Sequence, residues 1–241
     1  VDLLARMEEA HHGITGTGLV ARRRSIIRLP DDNALSSAKH FLHLSAVDQT
    51  SGGRAIPMVW FYDEDLDPSG LAESLQQILV HYPVFCGRYT ASAPKRVALN
   101  NTGVPLEVSV VDSSLEQAIS HLSSKSEAEA WNQEGQEQPE DYYNLFACTV
   151  HEGYVPEKKA MDPDEGCPDQ PLLAVKVTLF EGGGTAIGTL LQHRIGDAQT
   201  QIEFMKNWGR LFQSLVLEHE PDHDRCKLHS LLLEGSTGGA E

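Results

Sequence analysis

The stretch LLQHRIGDAQT, residues 190–200, sets His193 and Asp197 four apart, directly after an apolar run. Three readings are open: a catalytic pair, a metal-ligand pair, or two residues that meet by chance. Histidine suits general-base work because its free pKa is close to 6.5, so the ring exchanges a proton near neutral pH. An aspartate four residues on can fix the turn by bonding local backbone, or reach a distant arginine. HxxxD by itself does not choose among these.

Other chemistry-bearing clusters point less clearly. EHEPDHDR, 218–225, gathers His219, Glu220, Asp222, His223 and Asp224, but its proline interrupts any helical face that two histidines would share, which argues against a metal site. Cys86, Cys148, Cys167 and Cys226 form no CxxC pair, which excludes the usual zinc spacings and favours free thiols in a reducing, cytosolic compartment. GITGTG, 13–18, has glycines but neither a buried strand before it nor Lys-Ser/Thr after it, so it reads as a loop rather than a phosphate cradle. Ser36, Ser37 and Ser45 show no nucleophile elbow. Trp60, Phe61, Tyr62, Trp208 and Phe212 read better as core packing than as an aromatic substrate pocket.

The elements that must position His193 come next. LLAVKVTLF (172–180), the turn EGGG (181–184) and TAIGTLLQH (185–193) read as a buried hairpin that ends at the histidine. Behind it, TQIEFMKNWGRLFQSLVLE (200–218) repeats Ile202, Met205, Trp208, Leu211, Phe212 and Leu215 at helical spacing, an amphipathic helix that packs on the sheet. DPSGLAESLQQILVHYP (67–83) is a second helix, with Ser69 as N-cap and Pro83 as the stop. Strands are expected at 25–29, 56–62, 104–112 and, briefly, in CGRY and RVALN. Residues 1–20 look helical, 113–131 are expected to be helical, and the acidic, Pro-rich 132–170 to be a mobile surface loop. Strands and helices mix without a regular βαβ beat, so the fold class is α/β (α+β): a mixed sheet flanked by helices.

Composition bounds the rest. With 241 residues, 40% hydrophobic and 22% charged, the chain has the make-up of an ordinary globular domain. No stretch nears the roughly 20 apolar residues of a membrane span. The start, VDLLARMEEAHHG, lacks both a signal peptide's features and an initial Met, so a processed or excised chain is expected. A net charge of −16 repels phosphate backbones, and ARRRS (21–25), without stacking aromatics, reads as a solvated turn or strand edge rather than a nucleic-acid patch.

The flanks of the pair carry more information than the pair. LSAVD (44–48), LAESLQQILVHYPVFCGRY (71–89), LNNTGVPLEVSVVD (99–112), PLLAVKVTLFEGGGTAIGTLLQHRIGDA (171–198) and FMKNWGRLF…PDHDR (204–225) occur in order and at suitable spacing. Together they resemble the N-terminal half of the BAHD acyltransferases, relatives of chloramphenicol acetyltransferase and of peptide-synthetase condensation domains. The resemblance covers about residues 25–230 and implies a chloramphenicol acetyltransferase-like lobe. Residues 1–24 would be an N-terminal helix and arm, and 231–241 a crossover linker or an appended tail.

That resemblance implies transfer of an acyl group from acyl-CoA to an alcohol or amine of specialised metabolism, in a tunnel between two lobes. His193 would be the general base and Asp197 a structural residue of the loop; Gln192 and Thr178 would line the tunnel or be ordinary sheet residues. Acyl-CoA is then a co-substrate, with no tightly bound cofactor and no metal, and the partners are a small-molecule acceptor and a second lobe, with no nucleic acid or membrane. Ala198 departs from the pattern, which has glycine after the motif aspartate; Gln192 departs where many members have a second histidine; and DFGWG is absent. Two alternatives follow from these departures: a non-catalytic binding or scaffold protein of the same fold, or an acetyltransferase-like chain that completes its site as a trimer.

Overall fold

The computed structural model describes residues 8–9, 19–30, 41–45, 48–49, 55–90, 96–120 and 170–224. Nine strands and two helices dominate them: β1 (Glu8–Glu9), β2 (Leu19–Ile27), β3 (Phe41–His43), β4 (Ala55–Tyr62), α1 (Pro68–His81), β5 (Arg88–Tyr89), β6 (Arg96–Ala98), β7 (Val104–Val111), β8 (Leu173–Phe180), β9 (Thr185–Gln192) and α2 (Ala198–Phe212). A six-stranded sheet runs β1-β2-β7-β8-β9-β4, and a small one runs β3-β6-β5. In the large sheet only β7 and β8 pair in parallel; every other pair is antiparallel.

Two almost fully buried strands, β8 and β9, form a hairpin in the interior of the sheet. Its turn, 181–184, is built on Gly183 at φ 94° and Gly184 at φ 96°, a left-handed backbone that side chains resist. Pleating then sorts the side chains. Val108, Val175, Val177, Ile187 and Leu191 share one face with Ile56 and Trp60, and α1 and α2 cover that face with Leu75, Ile78, Phe204 and Trp208. Full burial of such side chains contributes about 1.5–3 kcal/mol each. Trp208 Nε1–H donates to Ser74 Oγ at 3.0 Å and joins the two helices.

The opposite face is polar across three strands. Arg24, Glu107 and Lys176 lie in one row of the register, with Gly188 and Val59 continuing it. Arg24 Nε–H donates to Glu107 Oε2 at 2.7 Å, and Lys176 Nζ lies 3.4 Å from Glu107 Oε1. Val111, Leu115, Ala118, Phe180 and Ala186 form a second, smaller apolar cluster on this side, with the helical stretch 115–120 against it.

Several expectations change. Glu8–Glu9 is a strand paired with Ala21 and Arg22, where a helix is expected, and β2 begins at Leu19, so the three arginines lie inside a strand. Glu107 on the neighbouring strand pairs with Arg24 among them. The N-cap of α1 is Asp67, not Ser69: its carboxylate accepts from Ser69 N–H at 3.2 Å and Gly70 N–H at 2.8 Å, with Pro68 as the first helical residue. Helix α2 stops at Phe212, six residues early. Ser214 takes φ 60°, Leu215 N–H bonds Arg210 O at 2.8 Å and Ser214 N–H bonds Leu211 O at 2.9 Å, a Schellman stop. The expected loop over 132–170, apart from Gln170, the tail 231–241, and the thiols Cys148, Cys167 and Cys226 lie outside the described residues.

Candidate active site

β9 ends at Gln192, and the chain turns at once: Ile195 N–H bonds Gln192 O at 2.8 Å, which closes a tight turn over 192–195. His193 is the second residue of that turn. Its ring is half-buried, while Nδ1 is shut away from solvent without a hydrogen-bond partner. Arg194 and Ile195 on its C-terminal side are buried, so the turn rests on the core rather than hanging from it.

Asp197 then caps α2. Its Oδ1 accepts from Thr200 N–H at 2.9 Å and from Thr200 Oγ1–H at 2.9 Å, while Thr200 Oγ1 lies 3.3 Å from the Asp197 N–H, a reciprocal capping box. Of the two roles left open for this carboxylate, the local one is seen. The Thr200 backbone N–H, above all, and then its hydroxyl hold the Asp197 carboxyl below its ordinary value, with a smaller pull from His193. Gly196 is required by close approach: a Cβ there would lie 2.6 Å from Thr200 Cγ2 and 2.9 Å from its Oγ1, inside the capping box. Ala198 is the first residue of α2 and does not take positive φ, so the strain that glycine would relieve does not arise.

Gln192 is 3% exposed, its Oε1 unpartnered, and it adjoins His193 directly. Thr178 is also buried with an unpartnered Oγ1, but it pairs with Ala186, so six residues of β9, about 20 Å of strand, separate it from Gln192. The structure thus gathers His193, Asp197 and Gln192 at one end of the hairpin and leaves Thr178 near the other. An open cavity of about 440 Å³ lies at that far end, lined by Asp63, Ser114, Leu115 and Gly183, among others. Gln170, buried beside the same strand end as His193, escaped sequence reasoning, because only tertiary placement shows that neither of its polar atoms has a partner.

Among the described residues, no three His, Cys, Asp or Glu side chains come together as metal ligands would. Glu220 and His223 belong instead to a clasp on the end of α1, while the His219 carbonyl accepts from Asn207 Nδ2–H at 3.3 Å. His81 Nδ1 lies 2.8 Å from Glu220 Oε2, and His223 Nε2 lies 2.7 Å from His81 O. Burial pushes the Cys86 thiol up to about 12, which removes it as a nucleophile at neutral pH. No helix among the described residues is long and apolar enough to cross a membrane.

Comparison with known proteins places this arrangement. The sequence profile of the Transferase family matches residues 32–231. Vinorine synthase of Rauvolfia serpentina is 30% identical over 188 residues, 75% of this chain and 38% of the relative. Stemmadenine O-acetyltransferase of Catharanthus roseus is 28% identical over 195 residues, 77% of this chain and 40% of the relative. The crystal structure of vinorine synthase superposes with a TM-score of 0.61 at 26% identity and covers 86% of this chain and 46% of that one. The chain therefore spans less than half the length of the relatives it matches. With most of its length inside the family profile and its sheet shared with vinorine synthase, the chain belongs to the BAHD-type Transferase family.

Proposed function

We propose that this chain is the histidine-bearing lobe of an enzyme that moves an acyl group from acyl-CoA to an alcohol or amine, with His193 as the general base. The observation that carries the reading is the placement of His193: a half-buried residue in the tight turn that follows β9, with Nδ1 buried and without a partner. Nε2 would take the proton from the acceptor as its oxygen or nitrogen attacks the thioester carbonyl carbon. The tetrahedral oxyanion then collapses, the carbon–sulfur bond breaks, and the imidazolium returns the proton to the departing thiolate, so that an ester or amide and CoA leave together.

Asp197 serves this chemistry indirectly. By capping α2 it fixes the start of the helix and, through the turn at 193–196, the aim of the ring. Gln192 lines the same rim; Thr178, at the other end of the hairpin, serves as a sheet residue. Family membership supports an acyl-CoA co-substrate without a tightly bound cofactor. A second lobe, in this or another chain, would close the cleft, since the matched region makes up only 38–46% of vinorine synthase and 40% of stemmadenine O-acetyltransferase. The reading as a non-catalytic binder drew on Ala198 and on the absent second lobe, and the unstrained helical conformation of Ala198 removes the first of these supports.

The test is acyl transfer by the longest parent protein containing this chain, with acetyl-CoA first, since one relative is named as an O-acetyltransferase. His193→Ala is expected to lower kcat about 10²–10⁴-fold. Full turnover by that variant, or none by the unaltered parent across acetyl-, malonyl- and aromatic acyl-CoA, overturns the proposal.

A further inference from the structure

Residues 213–224 form neither helix nor strand, yet side chains of α1 and α2 hold them along their length. The two helices lie antiparallel: a Cβ on Gly70 would sit 3.1 Å from the Phe212 ring, Trp208 bonds Ser74, and Phe204 meets Tyr82, just beyond α1, at 5.2 Å between ring centroids. Past Phe212 the chain doubles back over them. Arg210 Nε–H donates to Val216 O at 2.7 Å, Leu217 packs against the core, and Glu218 N–H donates to Asn207 Oδ1 at 3.2 Å. Asn207 Nδ2–H donates to His219 O at 3.3 Å, after which Glu220 meets His81 and His223 reaches His81 O. The His223 ring stands edge-on to Tyr82 at 5.9 Å. The contacts thus retrace α2 from Arg210 to Asn207 and on to Tyr82, beside Phe204. From there to Ala198, the capped start of α2 that follows the His193 turn, is about 9 Å of helix. Asn207, 5% exposed, also donates to Tyr82 Oη at 3.2 Å, so both of its amide hydrogens and its oxygen are committed.

We propose that residues 213–224 are a strap that fixes where the chain leaves this lobe, with Asn207 as its clamp. Asn207 is then a positioning residue: it delivers whatever follows Asp224 to the end of α2 that carries His193. A chain running free from Phe212 would start from the opposite end of that helix, about 20 Å away. In the two-lobed enzyme proposed above, the strap sets the second lobe over the histidine rather than beyond the far end of the helices. That delivery rests on the two-lobed reading; the course of the strap does not.

Proton NMR of this chain reads the strap's course without any turnover. The unaltered chain is expected to show a nuclear Overhauser contact between the His223 and Tyr82 rings, and a Glu218 amide protected from hydrogen exchange. Asn207→Leu is expected to abolish the ring contact and to speed exchange at Glu218 about 10-fold, the worth of one hydrogen bond, while the amides of β8 and β9 keep their protection. In the parent enzyme, a second lobe correctly placed only about a tenth of the time raises the KM for both substrates about 10-fold and leaves kcat at saturation nearly unmoved. A merely structural defect would lower kcat through lost active enzyme and leave KM alone. If Asn207→Leu does not fold, His81→Ala combined with His223→Ala, which cuts the distal contacts at the surface, carries the same expectation for KM. An unaltered chain without the ring contact, or with a freely exchanging Glu218 amide, overturns the strap. Unmoved KM values in a variant whose strap is loose overturn the delivery. A parent enzyme indifferent to His193→Ala instead sinks the base reading and leaves the strap's course intact.

Discussion

At the scale of single residues, the division of labour between His193 and Asp197 is set by what each touches. The histidine carries a buried, unpaired nitrogen; the aspartate has both of its Thr200 contacts within 2.9 Å and faces solvent. Because these bonds lower the folded-state pKa of Asp197, its contribution to stability is present above the unfolded value, 3.8 on the usual scale, and is lost as pH falls through the lower folded value. Urea unfolding should therefore show Asp197→Asn less stable than the unaltered chain at pH 6, with the gap closing below pH ~4. Asp197→Ala, which removes the cap outright, should cost about 1 kcal/mol at pH 6. The pair was legible in the sequence because motif spacing survives without coordinates. The capping role was not, since the helix was expected to start at Thr200 and it starts at Ala198, with Asp197 as its cap. Gln170 was not, since nothing local marks a glutamine whose neighbours offer it no bond.

At the scale of elements, the parts read correctly are those whose signal is local. The β8–β9 hairpin shows as two apolar runs around a glycine turn, and α1 as leucines and isoleucine at helical spacing. The parts misread depend on distant partners or on backbone alone. β2 carries Arg22, Arg23 and Arg24, of which Arg24 meets Glu107 on the neighbouring strand. α2 runs into LVLE with its apolar pattern unbroken, yet ends because Ser214 turns left-handed, a conformation that composition does not announce. That strain is removable. Ser214→Gly should stabilise the chain by about 0.5–1 kcal/mol, read as a rise in the urea midpoint at unchanged slope.

At the scale of the whole molecule, the sheet has an apolar face under two helices and a face whose centre is ionic. The row Arg24–Glu107–Lys176 ties β2, β7 and β8 together, with Glu107 and Lys176 almost fully buried. Neutralising its middle member sets two cations on either side of an uncharged group. Glu107→Gln should destabilise the chain by on the order of 3 kcal/mol, while Glu107→Gln combined with Lys176→Met should recover part of the loss; thermal melts of the three proteins check both.

The parallel pairing of β7 with β8 has a consequence in time. Parallel neighbours cannot be joined by a tight turn, so residues 112–172 must be spun out before β8 exists, and the outermost strand β4 waits longer still for β9. A nascent chain thus exposes β4 and the free edge of β7 before the two strands that pair with them emerge from the ribosome. Assembly of this lobe is governed by its latest-made piece, and the same short hairpin that ends in the histidine is the keystone on which the earlier strands close.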